Sequence, residues 1–136
     1  MVSSEEILSE GNIEQMVALL KKTNKVRAAY VHGSVLGPLF NKESDLDIAV
    51  LLSNGNLSSN QRMILSTELE EVVRVPVDLG VLSSQNLVYA VQVIEKGRLL
   101  FTDEENGLKS FITNAMSGYA QLCYERRGIV KAYSHG

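Results

Sequence analysis

The residues His32-Gly33-Ser34-Val35-Leu36-Gly37 and, after a short loop, Ser44-Asp45-Leu46-Asp47-Ile48-Ala49-Val50-Leu51-Leu52 decide how this chain folds. Val26 to His32 reads as a strand that breaks off at Gly33-Ser34. A loop holding Gly37, Pro38 and Asn41 closes at Ser44, and Asp45 to Leu52 reads as a second strand. Its apolar run from Ile48 to Leu52 is expected of a strand buried on both faces. Side chains alternate along a strand, so Asp45 and Asp47 project from one face, about 7 Å apart along the backbone. Two carboxylates so close, at the entry of so apolar a strand, repel each other and resist burial. A divalent cation relieves both penalties, and hard carboxylate oxygens suit Mg2+ or Mn2+ better than Zn2+.

Gly33 and Ser34 supply a complementary half. Glycine lets the backbone turn sharply and approach a ligand closely. A helical turn starting at Ser34 would aim free N–H groups and a hydroxyl at an anion such as a nucleotide phosphate. Gly37 keeps the loop slim enough for a triphosphate to lie over it, so Gly33, Ser34, Gly37 and Ser44 are the candidate nucleotide-binding residues. The Gly-Ser pair and the Asp-x-Asp pair are weak signals singly, but specific when strand-bounded and joined by residues 35–44. Asp78 is the third candidate carboxylate, inside the apolar strand Val75 to Leu82, where Pro76 marks an edge or a strand start. Beside the Asp45/Asp47 strand it could complete a metal site or accept the proton of an attacking hydroxyl. His32 reads as a strand-end residue in preference to a ligand.

Further out, Ser3 with Glu6 opens a short helix ending near Gly11, and Asn12 caps a second carrying Ile13, Met16, Val17 and Leu20 on one face. Gly55 and Asn56 turn the chain before a helix striped by Leu65, Leu69, Val72 and Val73. Ser83 or Ser84 caps the next helix, which runs to about Lys96 before Gly97 and the apolar segment Leu99 to Phe101. Thr102 with Glu105 then forms a capping pattern for a long last helix, about 103–133, carrying Leu108, Phe111, Ile112, Ala115, Tyr119, Leu122 and Val130. Helices alternating with strands give an α/β (α+β) fold, a small mixed sheet packed with helices.

A chain of 136 residues, 45% hydrophobic, fits a single domain spanning 1–136, with its core at about 12–101 and the last helix beyond. The formal charge of −3 provides no basic field, so stable nucleic-acid binding is not expected. Cys123 is the lone cysteine and excludes an intrachain disulfide. The acidic first residues lack a signal-peptide pattern, and no stretch approaches the roughly 20 apolar residues of a membrane span. A cytoplasmic location is the expectation.

The Gly33-Ser34 turn, the Asp45-x-Asp47 pair and Asp78 on a later strand resemble the minimal nucleotidyltransferase (MNT) domain of the DNA polymerase β superfamily. Val77-Asp78-Leu79, Ser83, Gly97, Leu99-Leu100-Phe101 and the closing helix with Tyr119, Leu122, Glu125 and Arg126 are similar to the MntA-type antitoxins. That resemblance covers roughly Val26 to Val130. It implies a polymerase β-like nucleotidyltransferase fold and a Mg2+-dependent transfer of AMP from ATP to a tyrosine of a partner HEPN-domain ribonuclease toxin (HepT-like). The toxin is thereby neutralised within a hetero-oligomer. By matching position, Asp45 and Asp47 would hold two metal ions, Asp78 would bind the catalytic one or act as base, and Gly33 and Ser34 would bind the ATP phosphates. Many MNT domains carry a basic residue shortly after Gly-Ser, where this chain has Val35 and Leu36. The phosphate charge then falls to metal and backbone, with Lys42 or Arg74 as candidate helpers. Two alternatives stand beside this: an antitoxin that occludes its toxin through the last helix without catalysis, and a nucleotidyltransferase acting on a small molecule or an RNA end. The last helix is expected to serve the core in its first half and a partner in its second.

Overall fold

The computed structural model describes residues 3–38, 40–41, 43–53 and 56–134, with side chains as far as residue 128. Lys42, Gly55 and the side chain of Val130 thus lie outside what is described. Two central strands, β1 (Val26–His32) and β2 (Leu46–Leu52), pair antiparallel, and each is buried along nearly its whole length. β3 (Val77–Val81) runs parallel to β2, and β4 (Arg98–Thr102) runs antiparallel to β1, so the four-stranded sheet has the order β3-β2-β1-β4. Such a mixed sheet is the expected one. β2 starts at Leu46, which leaves Asp45 just ahead of it. β3 is an edge strand that starts at Val77, so Pro76 stands just before the strand, as expected of a strand start, and its carbonyl accepts the Leu46 N–H of β2 at 2.8 Å.

The two faces of the sheet carry different cores. Ala29, Val31, Ile48, Val50 and Leu79 face α2 (Glu10–Lys22) and α3 (Ser59–Val73), which contribute Met16, Leu20, Leu65, Leu69 and Val73. Small residues dominate the opposite face, where Ala28, Ala49, Tyr30 and Leu51 meet Ala90 and Val93 of α4 (Leu87–Lys96) and Leu108 of α5 (Glu105–Ser134). The long α5 packs through Leu108 and Ala115, while Glu125, Arg126, Arg127 and Gly128 are all exposed. Its first half is core, as expected.

Helix caps differ from the expected ones where two side chains compete. α1 (Ser4–Ile7) is capped by Ser3 as expected but ends at Ile7, and α2 is capped by Ser9, whose hydroxyl accepts the Asn12 N–H at 3.2 Å. Asn12 lies inside α2 and caps backwards, its amide donating to the carbonyls of Glu6 and Ile7 at 3.0 and 3.2 Å. Gly11 therefore sits in a helix and not at a stop. Asn86, not Ser83 or Ser84, caps α4 through the Tyr89 N–H. Thr102 ends β4: its hydroxyl donates to the Arg27 carbonyl at 3.2 Å and accepts the Glu104 N–H at 3.3 Å, so no capping box with Glu105 forms.

The free edge of β3 is closed by side chains. Glu70 of α3 accepts the Val77 N–H at 3.0 Å, and Arg62 of α3 donates to the Leu79 carbonyl, at 3.0 Å from its Nε. These are the outward-facing groups of an edge strand, otherwise open to a foreign chain. Glu70→Ala is expected to destabilise the chain by about 1–2 kcal/mol by orphaning the buried Val77 N–H, and Glu70→Gln, which keeps the acceptor, by less. Urea unfolding of the three proteins measures the difference, and equal stability for Glu70→Ala and the parent would refute the role.

Candidate active site

The parallel register of β2 and β3 sets Asp47 directly opposite Asp78. The antiparallel register of β1 and β2 sets His32 opposite Asp47. Alternation along each strand turns all three side chains to the face covered by α4 and α5. They form one row across three strands at the end of that face. Asp45 precedes the row by two residues and is exposed. Among the described residues, no three His, Cys, Asp or Glu side chains already converge as a metal cage. The donor set nonetheless fits a hard divalent cation, because the row repels itself. Burial holds the Asp47 carboxyl above the usual carboxylate range, His32 pulls it down, and the charges of Asp78 and Asp45 push it up again. Burial likewise lowers His32, against the pull of Asp47 and then Asp78.

Gly33 is the residue that lets the row exist. Its φ is +78°, a left-handed conformation that costs glycine little. A Cβ built there would lie 2.3 Å from Asp47 Oδ2, so a side chain would displace the carboxylate. Gly33–Leu36 forms a 3-10 turn that begins from the extended His32, with no side-chain cap. Ser3, Ser9, Ser58 and Asn86, by contrast, cap the helices that follow them. Ser34 is exposed in this turn and its carbonyl accepts the Gly37 N–H at 3.0 Å. Gly37 has ordinary extended backbone, φ −118° and ψ 174°. An added Cβ there would meet only the Ser34 carbonyl, at 3.7 Å. Ser44 closes the loop internally, its hydroxyl accepting the Asn41 N–H at 3.2 Å and its own N–H donating to the Asn41 carbonyl at 2.9 Å. Arg74 is the exposed, left-handed C-cap of α3.

One residue at the row, Tyr89, was not read as functional from sequence. Tyr89 of α4 reaches down to His32, with 3.2 Å between its hydroxyl and His32 Nε2 and the rings edge to face at 5.5 Å. The same hydroxyl occupies the space of a Cβ at Gly80, which would lie 2.1 Å from it. Burial raises the Tyr89 hydroxyl, and the charges of Asp78 and Asp47 raise it further. An isolated glycine inside a strand signals such a close approach, so Gly80 was the available clue. Nothing in the sequence says which side chain fills the gap.

Known proteins resemble this chain over most of its length. The protein adenylyltransferase MntA of Shewanella oneidensis is 29% identical over 120 residues, 88% of this chain and 85% of its own. A chain of a toxin–antitoxin complex crystallised with AMP-PNP superposes with a TM-score of 0.74 at 28% identity, covering 90% of this chain and 98% of that one. A second solved structure, a tri-AMPylated Shewanella oneidensis HEPN toxin in complex with an MNT antitoxin, matches with a TM-score of 0.70 at 27% identity, covering 92% and 98%. Residues 14–106 match the polymerase beta, nucleotidyltransferase family. Because that span takes in every strand of the sheet and the whole row of His32, Asp47 and Asp78, the chain belongs to the polymerase beta nucleotidyltransferase family.

Proposed function

We propose that this chain transfers AMP from ATP to a tyrosine hydroxyl of a partner HEPN-domain ribonuclease toxin, and so acts as its antitoxin. The observation that carries the proposal is the in-register pair Asp47 and Asp78 with Gly33 pressed against the Asp47 carboxylate. That arrangement serves phosphoryl chemistry and has no packing value of its own. Likeness to an adenylyltransferase, and to an antitoxin bound to an AMPylated HEPN toxin, supports the choice of donor and acceptor.

Asp45, Asp47 and Asp78 are the residues that would hold Mg2+ (two ions, with Mn2+ equally suited). A divalent cation bound there supplies charge neutralisation to the phosphates and to the oxygens that attack and leave. The N–H groups of the Gly33-Ser34 turn, which no side chain caps, donate to phosphate oxygens. The tyrosine oxygen forms a bond to the α-phosphorus, its proton passes to Asp78, and the bond from the α-phosphorus to the bridging oxygen breaks to release pyrophosphate. Catalysis here is chiefly positioning and charge. The exposed second half of α5 is the surface we assign to the partner, since Gln121, Tyr124 and Glu125 to Gly128 project from the domain without packing against it. No helix among the described residues is long and apolar enough to cross a membrane.

Asp47→Asn should lower AMP incorporation at least about a hundredfold. Intact-mass analysis of the co-expressed partner reads this as loss of the AMP adducts, and full adduct yield from the variant would refute the assignment. A partner neutralised without any adduct from the parent chain would instead favour occlusion. Stability should move the other way. The fold prefers Asp47 protonated, so the stability tied to it is complete below the ordinary carboxylate pKa of 3.8 and is lost as pH rises through the raised value. In EDTA, Asp47→Asn should melt above the parent at about pH 7, and the gap should close below about pH 4; a lower melting point at neutral pH would contradict the burial argument. Gly33→Ala should lose both activity and stability, since it strains the left-handed backbone and displaces Asp47; unchanged melting and transfer would show that the turn is not held as described.

A further inference from the structure

The sheet gives the acidic row a direction. Reading across the strands, Asp78 lies on β3, Asp47 on β2 and His32 on β1, with neighbouring strands about 4.8 Å apart. In an in-line displacement the nucleophile and the leaving group stand on opposite sides of the α-phosphorus. With Asp78 receiving the tyrosine proton, the leaving pyrophosphate must point toward β1 and the Gly33 turn. On that side the surface opens into a recess of about 290 Å³ lined by His32, Gly33, Tyr89, Gln92, Val93 and Lys96. The turn itself, Gly33–Leu36, has no basic residue, Val35 being buried and Leu36 apolar.

Lys96 is fixed at this recess by backbone packing. It is the last residue of α4, and Gly97 follows it, the Gly97 N–H donating to the Val93 carbonyl at 2.7 Å. A Cβ on Gly97 would lie 2.5 Å from the Val93 carbonyl oxygen and 3.0 Å from that of Val31, so α4 ends hard against the last turn of β1. Arg98 then pairs with Val31 in the sheet. These contacts leave the root of Lys96 beside His32 and Gly33, with its side chain exposed. Among the described residues no carboxylate pairs with Lys96, whereas Arg27 is held by Glu104 at 3.1 Å. Gln92, one turn earlier on α4, brings an amide donor to the same wall.

We propose that Lys96 is the cation that binds the β- and γ-phosphates of the nucleotide, in the recess between the Gly33 turn and α4. The Gly33–Leu36 turn itself offers no cation for this role. This rests on the nucleotide-transfer reading, which puts the nucleophile on the Asp78 side. Lys96 then acts on the polyphosphate and leaves the nucleoside and α-phosphate to the rest of the site.

Calorimetric titration of the whole chain in Mg2+ with AMP-PNP, and separately with AMP, tests the assignment. Lys96→Ala should weaken AMP-PNP by about tenfold, the cost of one charge-assisted contact, and leave AMP binding as in the parent. Lys96→Arg should restore AMP-PNP binding to near the parent value. Equal weakening of both nucleotides, or unchanged AMP-PNP affinity in Lys96→Ala, would overturn the role of Lys96 while nucleotide transfer stands. Failure of the unsubstituted chain to bind AMP-PNP would overturn both. Lys96 is exposed, so a melting curve matching the parent's is expected for each variant and separates lost contact from lost fold.

Discussion

Two carboxylates held at the same level on adjacent parallel strands, with a glycine backbone packed against one of them, form the constraint to which the rest of the molecule is fitted. Neither Asp47 nor Asp78 pairs with a cationic side chain in an ion pair among the described residues. Burial pushes the Asp47 carboxyl up, and the neighbouring acids push it further. A sheet would be more stable with an apolar residue at that position. The arrangement therefore has to be enforced by its surroundings, and the enforcement can be traced element by element.

β2 and β3 are joined through α3, and α3 does more than connect them. Its Glu70 and Arg62 bond the outward groups of Val77 and Leu79, on either side of Asp78, so the edge strand that carries Asp78 stays in register with Asp47. On the other face the small residues Ala28, Ala49 and Gly80 let α4 come close, and Tyr89 fills the remaining space with its hydroxyl against His32. The row is thus clamped from behind by α3 and roofed on one side by α4. It stays open where Gly33 turns the chain. A register slip of one residue in β3 would send Asp78 into the apolar face, where Ile48, Leu79 and Leu69 pack.

Much of this was legible in the residue pattern. The alternation of Asp45 and Asp47, the apolar run after them and the break at Gly33 place β2 and the turn correctly, because burial on both faces leaves few other solutions. Pro76 marked the start of β3 for a stereochemical reason that needs no tertiary information. Helix starts were read less well. Ser9 and Asn12 can each cap α2, and only the packing of α1 against it, with Asn12 spent on the carbonyls of Glu6 and Ile7, decides between them. The same holds for Asn86 over Ser83 and Ser84, and for Thr102, whose hydroxyl is drawn to Arg27 on a neighbouring strand. Tyr89, Gln92 and Lys96 escaped the sequence reading because their relation to the site depends on where α4 lands across the sheet. That landing is set by long-range contacts at Gly80 and Gly97, which show in the sequence only as glycines without a stated purpose.

The turn after Ser34 carries Val35 and Leu36 and no cation, and the proposed role of Lys96 puts the charge on a different element. A basic residue on the turn itself would ride on a short 3-10 segment, held internally by the bond from the Gly37 N–H to the Ser34 carbonyl. A lysine at the end of α4 is instead anchored by a helix of ten residues and by Gly97 wedged between the Val93 and Val31 carbonyls. Lys96 in the proposed role would also tie the cation to the helix that carries Tyr89. Anything that moves α4 would then alter the roof over His32 and the recess at Gly33 together. Because α4 packs on α5, whose exposed second half is the surface assigned to the partner, one continuous stack of helices runs from that surface to the recess.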